Sequence, residues 1–197
     1  WGVAAELGNA AEKIVVDHLR DEGHVVTLAL DEQELIDWEE HGIRFLGHPD
    51  GDIKMDKSPK DEPPMNLELK AVNSMKFQGW KQQGVRLYLP DYYAQSLGYV
   101  RGKTAMAEQG KRPPTQPITR FEVLNRDSGV RHTEYVSFRP GAWGPLVERW
   151  LQVQEPIMAG ALPEPDYDGE VWYCQVCPGR SGCPAWLRAQ ESKEAVS

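Results

Sequence analysis

Asp50, Glu68 and Lys70 are the residues of this chain whose types and spacing best suit chemistry. Pro49-Asp50 is followed by seventeen residues and then by Glu68-Leu69-Lys70. Cutting a phosphodiester requires that an attacking water lose a proton and that charge developing on the phosphate and the leaving oxygen be neutralised. Divalent metal ions do both. Mg2+ takes oxygen ligands and keeps several of its waters, so two or three carboxylates suffice to hold it. Glu68 and Lys70 are two apart in a segment that reads as a strand, so they project to one face. Asp50 lies at a strand break, where Gly51 permits close approach. Together the three place two carboxylates and an ammonium around one point. Lys70 is then available to orient or activate a water, or to neutralise charge in the transition state. The main-chain carbonyl of Leu69 is a further candidate metal ligand. Taken singly, a Glu-x-Lys on a strand is an ordinary exposed face and Pro-Asp-Gly an ordinary turn. Their coincidence, in order and each at a strand, is the informative pattern.

A second constellation is Cys174-x2-Cys177-x5-Cys183, with Pro178 and Pro184 each following a cysteine. Three clustered cysteines are poor material for a secreted disulfide framework. Thiolates suit either Zn2+ or an iron–sulfur cluster, and closed sites of both kinds ordinarily take four protein ligands. A reduced cysteine loop without metal is the third possibility. No run of roughly 18 apolar residues suggests a transmembrane helix, and no signal segment opens the chain. The expectation is a protein of a reducing, cytoplasmic compartment with no membrane partner.

The net charge of −8 argues at first against a nucleic-acid partner, but its distribution matters more. Residues 1–53 carry three basic side chains against thirteen acidic ones. Residues 76–112 carry Lys76, Lys81, Arg86, Arg101, Lys103, Lys111 and Arg112 against only Asp91 and Glu108. A basic segment beside an acidic one suits a protein that holds both phosphates and divalent metals; a solvated charged surface is the plainer account. Trp80, Tyr88, Tyr92 and Tyr93 interleave with Lys76, Lys81 and Arg86, a mixture able to stack bases and hold a single-strand backbone, although many of these rings also suit a core.

The elements that must position these residues can be read from periodicity. Ala4 to Glu22 reads as an amphipathic helix with Leu7, Ala11, Ile14, Val15, His18 and Leu19 at helical spacing, ended by Gly23. Val25 to Leu30 is β-like. Asp31 to Glu40, acidic throughout, reads as helical. Ile43 to Leu46 reads as a strand and Asp52 to Met55 as its return, and Lys57 to Pro64 as an exposed loop. Asn66 to Val72 alternates as a strand, with Leu67 and Leu69 on one face and Glu68 and Lys70 on the other. Asn73 to Gln83 and, opened by Pro90, Asp91 to Gln109 read as helices. Ile118 to Asn125 and Val130 to Phe138 read as a hairpin around Asp127-Ser128-Gly129. Trp143 to Met158 reads as a helix, residues 161–169 as a connector, and the tail after Arg188 as disordered. The fold class expected from this order is α/β, a sandwich with a central mixed β-sheet flanked by helices, plus a C-terminal cysteine-rich segment. The expected organisation is a core over 1–160, the cysteine segment over 161–188 and the tail over 189–197.

On these motifs the chain resembles the PD-(D/E)xK nuclease superfamily, whose fold is restriction-endonuclease-like. Gly8-x-x-x-Glu12, followed by Leu19 and Gly23, resembles the superfamily's first motif, and the resemblance puts Glu12 at the metal. Gln95-Ser96-Leu97-Gly98-Tyr99 resembles the Q-x-x-x-Y motif of the RecB-like branch, and implies that Gln95 and Tyr99 face the site and its substrate. The cysteine triplet resembles that of the iron–sulfur nucleases: the CRISPR-associated RecB-like exonuclease, AddB and the nuclease domain of the eukaryotic replication helicase–nuclease. In those proteins a fourth cysteine precedes the first motif. Here that region would precede Trp1; a histidine or an external ligand is the alternative. RecB-like members with a cysteine cluster often carry histidine in the first motif, where this chain has Glu12, so the branch stays open.

The resemblance implies a DNA exonuclease acting on ends, with single-strand preference. Its metal, Mg2+ or Mn2+, would be held by Glu12, Asp50, Glu68 and the Leu69 carbonyl. Lys70 would complete the catalytic set, Gln95, Tyr99, Lys76, Lys81 and Arg86 would hold substrate, and Cys174, Cys177 and Cys183 would hold a [4Fe-4S] cluster, with Zn2+ as the lesser alternative. It implies a context of recombination, repair, CRISPR adaptation or phage DNA processing, with DNA and a recombination or CRISPR-adaptation protein as partners. The rival readings are a resolvase-like endonuclease and an inactive DNA-binding protein of nuclease fold. No P-loop or dinucleotide fingerprint occurs, Ser96 and Ser181 have no base at motif spacing, and His48 reads more simply as a loop residue.

Overall fold

A computed structural model of the chain describes residues 2–161 and 180–194. The elements are α1 (Gly2–Asp21), β1 (Val25–Thr27), a 3₁₀ turn (Leu30–Glu32), β2 (Ile36–Glu40), β3 (Ile43–Gly47), β4 (Gly51–Lys54) and β5 (Met65–Val72). They continue with α2 (Ser74–Gln83), α3 (Val85–Tyr88), α4 (Pro90–Glu108), β6 (Ile118–Asn125), β7 (Arg131–Ser137) and α5 (Pro140–Met158). A 3₁₀ turn (Arg180–Gly182) and α6 (Pro184–Glu194) complete the described chain. Two compact units are distinguished, Trp1–Leu146 and Val147–Ser197, with the division inside α5. The boundary expected at residue 160 falls within the second unit.

The first unit is α/β, with a mixed central sheet ordered β1-β4-β5-β6-β7. Its β5 and β6 run parallel, with Glu68 opposite Phe121 and Lys70 opposite Val123, and the other neighbours are antiparallel. Parallel neighbours need a long crossover, and the segment carrying α2, α3 and α4 supplies it. Helix α1 covers one face: Val15, Val16 and Leu19 pack with Val26, Ile53, Met65, Leu67 and Leu69. On the other face Phe77, Trp80 and Val85 pack with Val72, Phe121, Val123 and Val136. The alternation read from Asn66 to Val72 therefore sorts as expected, with Leu67 and Leu69 under α1.

Helix α1 ends as its sequence demands. Gly23 has φ +89°, its N–H donates to Arg20 O, and His24 N–H donates to Leu19 O. This is a Schellman end, which only a residue tolerant of positive φ accepts without strain. The apolar stripe is shifted from the one expected: Ile14 is 49% exposed and Val16 is buried in its place.

Residues 31–40 are not a helix. They form a single 3₁₀ turn and then β2, which pairs with β3 in a separate two-stranded sheet. The acidic density suggested a helix, but Ile36 and Trp38 alternate inward while Asp37 pairs with Arg44 across the hairpin. His41 and Gly42 both take positive φ, the backbone that a two-residue hairpin turn requires. Consequently β4 is not the return strand of β3; it pairs with β1 and β5. At the other end α6 runs to Glu194 with Ala189 buried, where a tail from 189 was expected. Among the described residues no helix is long and apolar enough to cross a membrane.

The β2–β3 hairpin lies against α4 at Gly102. A Cβ there would sit 2.5 Å from both Ile36 Cγ2 and Trp38 Nε1, whereas one at Gly98 meets nothing within 4 Å. Gly102→Val is therefore expected to lower stability by roughly 1–3 kcal/mol through overpacking, while Gly98→Ala is neutral or gains up to about 1 kcal/mol of helix propensity. Denaturant titration of both variants checks the contrast.

Candidate active site at the start of the fourth strand

Strand β4 begins only at Gly51, opposite Leu67, while β5 runs on to Val72. The edge of β5 beyond Leu67 is thus left without a strand partner on the β4 side. Asp50 turns into that opening, and its Oδ2 accepts the Leu69 N–H at 2.7 Å. The N–H and C=O of one strand residue point to the same edge, so the Leu69 carbonyl faces the opening as well. Gly51 makes the turn possible. Its φ is +154°, and a Cβ would meet Thr27 O at 3.0 Å and the Ala29 Cβ at 3.1 Å.

Lys70 joins the two carboxylates. Its Nζ donates to Asp50 Oδ2 at 3.1 Å and to Glu68 Oε2 at 2.9 Å. The Tyr92 ring lies on the same ammonium, 5.5 Å from Nζ to centroid. Glu68 is 1% exposed. Burial pushes its carboxyl up to about 7; the Lys70 charge pulls it down and Asp50 pushes it up further. Burial opposes the charge of Lys70 too, but Glu68 and Asp50 together hold it above the ordinary lysine value. The two carboxylates thus favour the charged form of Lys70.

Glu12, on α1, is half-buried, and with Leu69 and Lys70 it lines a small cavity that Ala11, Val15, Ala71 and Leu124 complete. Burial raises its carboxyl, Asp50 adds to the rise, and Lys70 opposes it. The structure therefore joins Asp50, Glu68, the Leu69 main chain and Lys70 by hydrogen bonds, and Glu12 senses the charges of Asp50 and Lys70 from α1. All of the acceptors are hard oxygens, the donor type that suits Mg2+ or Mn2+. Asp50 and Glu68 here close on Lys70. Among the described residues no three His, Cys, Asp or Glu side chains are already gathered as a metal cage.

Gln95 and Tyr99 share a face of α4, and Gln95 Nε2 donates to the Tyr99 hydroxyl at 3.1 Å. Burial raises the Tyr99 phenol, Gln95 offsets part of this, and Glu68 and Asp50 raise it further, so the ring senses the site. It also packs where β3 ends: a Cβ on Gly47 would lie 2.6 Å from the ring. Lys76, Lys81 and Arg86 are exposed on α2 and α3. Lys81 lies over Phe77 and Arg86 over Tyr93, at 5.8 and 6.0 Å. Among the described residues none of the three bonds to a site carboxylate. Cys174 and Cys177 lie outside the described residues; Cys183 is a half-buried free thiol whose carbonyl accepts from Leu187 N–H at the start of α6.

Sequence reasoning missed a polar row behind the carboxylates. Asn66, two before Glu68, has its Nδ2 3.4 Å from Glu68 Oε1 and 3.2 Å from Thr119 Oγ1. Lys103, also 1% exposed, donates to Gly51 O, Asp52 Oδ1 and Asn66 Oδ1 at 3.0, 2.6 and 2.6 Å. Arg112 donates to the other oxygen of Asp52 at 2.7 Å. One signal was available: Gln95, Tyr99 and Lys103 fall four apart on α4, so the face that carries the first two carries the third.

No protein-family model matches this chain, and no curated protein matches it in sequence. Among solved structures, the crystal structure of SSO0001 aligns over 91% of this chain and 72% of its own, at 14% identity and a TM-score of 0.42. A likeness that distant carries no argument about function.

The Glu68 shift sets a pH dependence for the metal-free protein. Between the ordinary value of 4.5 and about 7 the folded chain keeps a proton that the unfolded chain has released. That contribution favours folding below the lower value and is lost as pH rises through the higher one. Lys70 stays charged throughout this window. Glu68→Gln, which cannot ionise, should therefore lose less stability than wild type between about pH 5 and about pH 8 in urea titrations. An equal or larger loss would show that Glu68 does not hold the proton.

Proposed function

We propose that this chain is a metal-dependent deoxyribonuclease of the PD-(D/E)xK type, acting as an exonuclease on DNA ends with single-strand preference. The observation that carries the reading is the junction of Asp50, Glu68 and Lys70 at the open edge of β5. Three polar side chains separated by up to twenty positions converge within hydrogen-bond distance, and Glu12 feels the charges of Asp50 and Lys70 from α1. Buried carboxylates that one ammonium must share are suited to a second, divalent cation.

Glu12, Asp50, Glu68 and the Leu69 carbonyl are the groups that would hold Mg2+ or Mn2+. When bound, such an ion supplies an acidified water and neutralises phosphate charge. The chain's own contributions follow from the geometry. Asp50 is oriented by the Leu69 N–H. Glu68 is fixed by Lys70 on one oxygen and approached by the Asn66 amide on the other. Lys70 donates two of its three protons to these carboxylates, leaving one to offer to a phosphate oxygen or to the attacking water. Its raised pKa favours the role of charge neutraliser over that of general base. Tyr99 and Gln95, joined on one face of α4, would hold the strand being cut. A [4Fe-4S] cluster on Cys174, Cys177 and Cys183, with Zn2+ as the alternative, belongs to the same proposal and rests on cysteine spacing alone.

The deciding experiment is digestion of end-labelled linear single- and double-stranded DNA, with circular DNA beside them, in Mg2+ and in Mn2+. Linear substrates should be shortened from their ends and circles spared. Asp50→Asn and Lys70→Ala should each lose at least about 100-fold in rate. Cutting of circles would favour the resolvase-like endonuclease, and equally negligible cleavage by wild type and Lys70→Ala would sink the enzymatic reading. For the cysteine segment, protein purified without oxygen should be brown; colourless protein with stoichiometric zinc overturns the iron assignment.

A further inference from the structure

We propose that Lys103 is a positioning residue for the carboxylate pair, tying the Asp50 turn and the Glu68 strand to one ammonium on α4. The proposal rests on the nuclease reading of the same site, but its geometry is independent of any metal. Lys103 Nζ reaches three acceptors: the Gly51 carbonyl, one residue beyond Asp50, Asn66 Oδ1, two residues before Glu68, and Asp52 Oδ1 between them on the sheet. Three acceptors require all three protons of an ammonium, because a neutral amine has only two to give.

The consequence for Asn66 is directional. An ammonium is a donor only, so the Asn66 carbonyl oxygen must face Lys103 and its NH2 must face the other way. On that side it meets Thr119 Oγ1 and Glu68 Oε1, at 3.2 and 3.4 Å. Lys103 thereby decides that Glu68 sees a donor from Asn66 and not a repelling oxygen. On the β4 side the bond to Gly51 O holds the residue at which the strand begins, directly after the Asp50 turn. Asp52 is the countercharge that makes a buried lysine tolerable, and Arg112 holds the second oxygen of Asp52. The side chain touches no atom at which reaction would occur; its effect passes through its neighbours. Outer hydrogen-bond partners of this kind commonly change metal affinity or activity by 10–100-fold.

The test compares wild type, Lys103→Met, Asn66→Leu and the double variant in two measurements. The first is Mn2+ affinity by EPR or calorimetry. Lys103→Met and Asn66→Leu should each weaken Mn2+ binding by roughly 10–100-fold, and the double variant by no more than the larger single loss, because both break one path. Asn66→Leu leaves the Lys103–Asp52 pair in place, so it reads the path even if Lys103→Met fails to fold. The second measurement is hydrogen exchange in metal-free protein. Lys103→Met should speed exchange of the Asn66 side-chain amide and the Leu69 N–H by at least about tenfold relative to Phe121 and Val123. A role confined to stability would speed core and site amides alike and leave Mn2+ affinity unchanged, and that result overturns the proposal. So does an additive loss in the double variant. If wild type binds no Mn2+, the nuclease reading falls and the exchange comparison alone decides the role of Lys103.

Discussion

The buried carboxylate of Glu68 obliges the chain to supply a cation beside it. Removing a charged group from water costs several kcal/mol even after relaxation, and the cost is met only where an opposite charge and hydrogen bonds are fixed nearby. Lys70, two residues along the same strand, meets that condition for Glu68 and for Asp50 at once. Because strand residues two apart share a face, the pairing needs no long-range accuracy from the fold. What the fold must contribute is Asp50, from a separate segment, brought to the same ammonium. The late start of β4 does this: a β4 that began earlier would pair with the Leu69 edge and leave no opening for a side chain.

That arrangement explains why so much of the surrounding structure is polar yet inaccessible. Asp52, Asn66, Lys103, Arg112 and Thr119 are all buried and line up behind the carboxylates between the sheet and α4. The face of β5 that holds Leu67 and Leu69 against α1 is apolar by contrast. One face of the strand is thus wholly apolar core, and the other divides between the site at Glu68 and Lys70 and a second apolar cluster at Val72. Glu12, on the helix that covers the apolar face, lines a small cavity with Leu69 and Lys70 and senses the charges of Asp50 and Lys70.

The parts legible in the sequence were those set by local periodicity. The alternation from Asn66 to Val72, the Gly23 end of α1, Pro90 at the start of α4 and the hairpin around Asp127-Ser128-Gly129 all follow from nearest-neighbour chemistry. Pairing was less legible. Residues 31–40 carry so many acids that their β alternation, Ile36 and Trp38, was overlooked, and with it the true partner of β3. By sequence Lys103 is one more cation of the basic 76–112 segment, since a lysine on a helix is almost always solvated. Only the three acceptors from β4 and β5 reveal it as buried. Lys76, Lys81 and Arg86 show the opposite error. Grouped by sequence with the aromatic residues, they sit on outer faces of α2 and α3, where Lys81 lies over Phe77 of its own helix and Arg86 over Tyr93 at the start of α4.

A row of buried ions is an expensive way to fill the space under α4. Replacing such groups by apolar side chains of similar volume is often neutral or stabilising in other proteins. Leucines in place of Lys103, Asp52 and Asn66 would fill the volume, but they would leave Glu68 with one partner and the Asp50 turn with none from α4. An apolar layer also fixes no direction, whereas an ammonium facing three acceptors admits one arrangement of donors and oxygens. Retaining charge in this layer is therefore economical only if the orientation of the two carboxylates matters. A purely structural sheet edge would have no such need, and a centre that must hold two oxygens ready for a cation would.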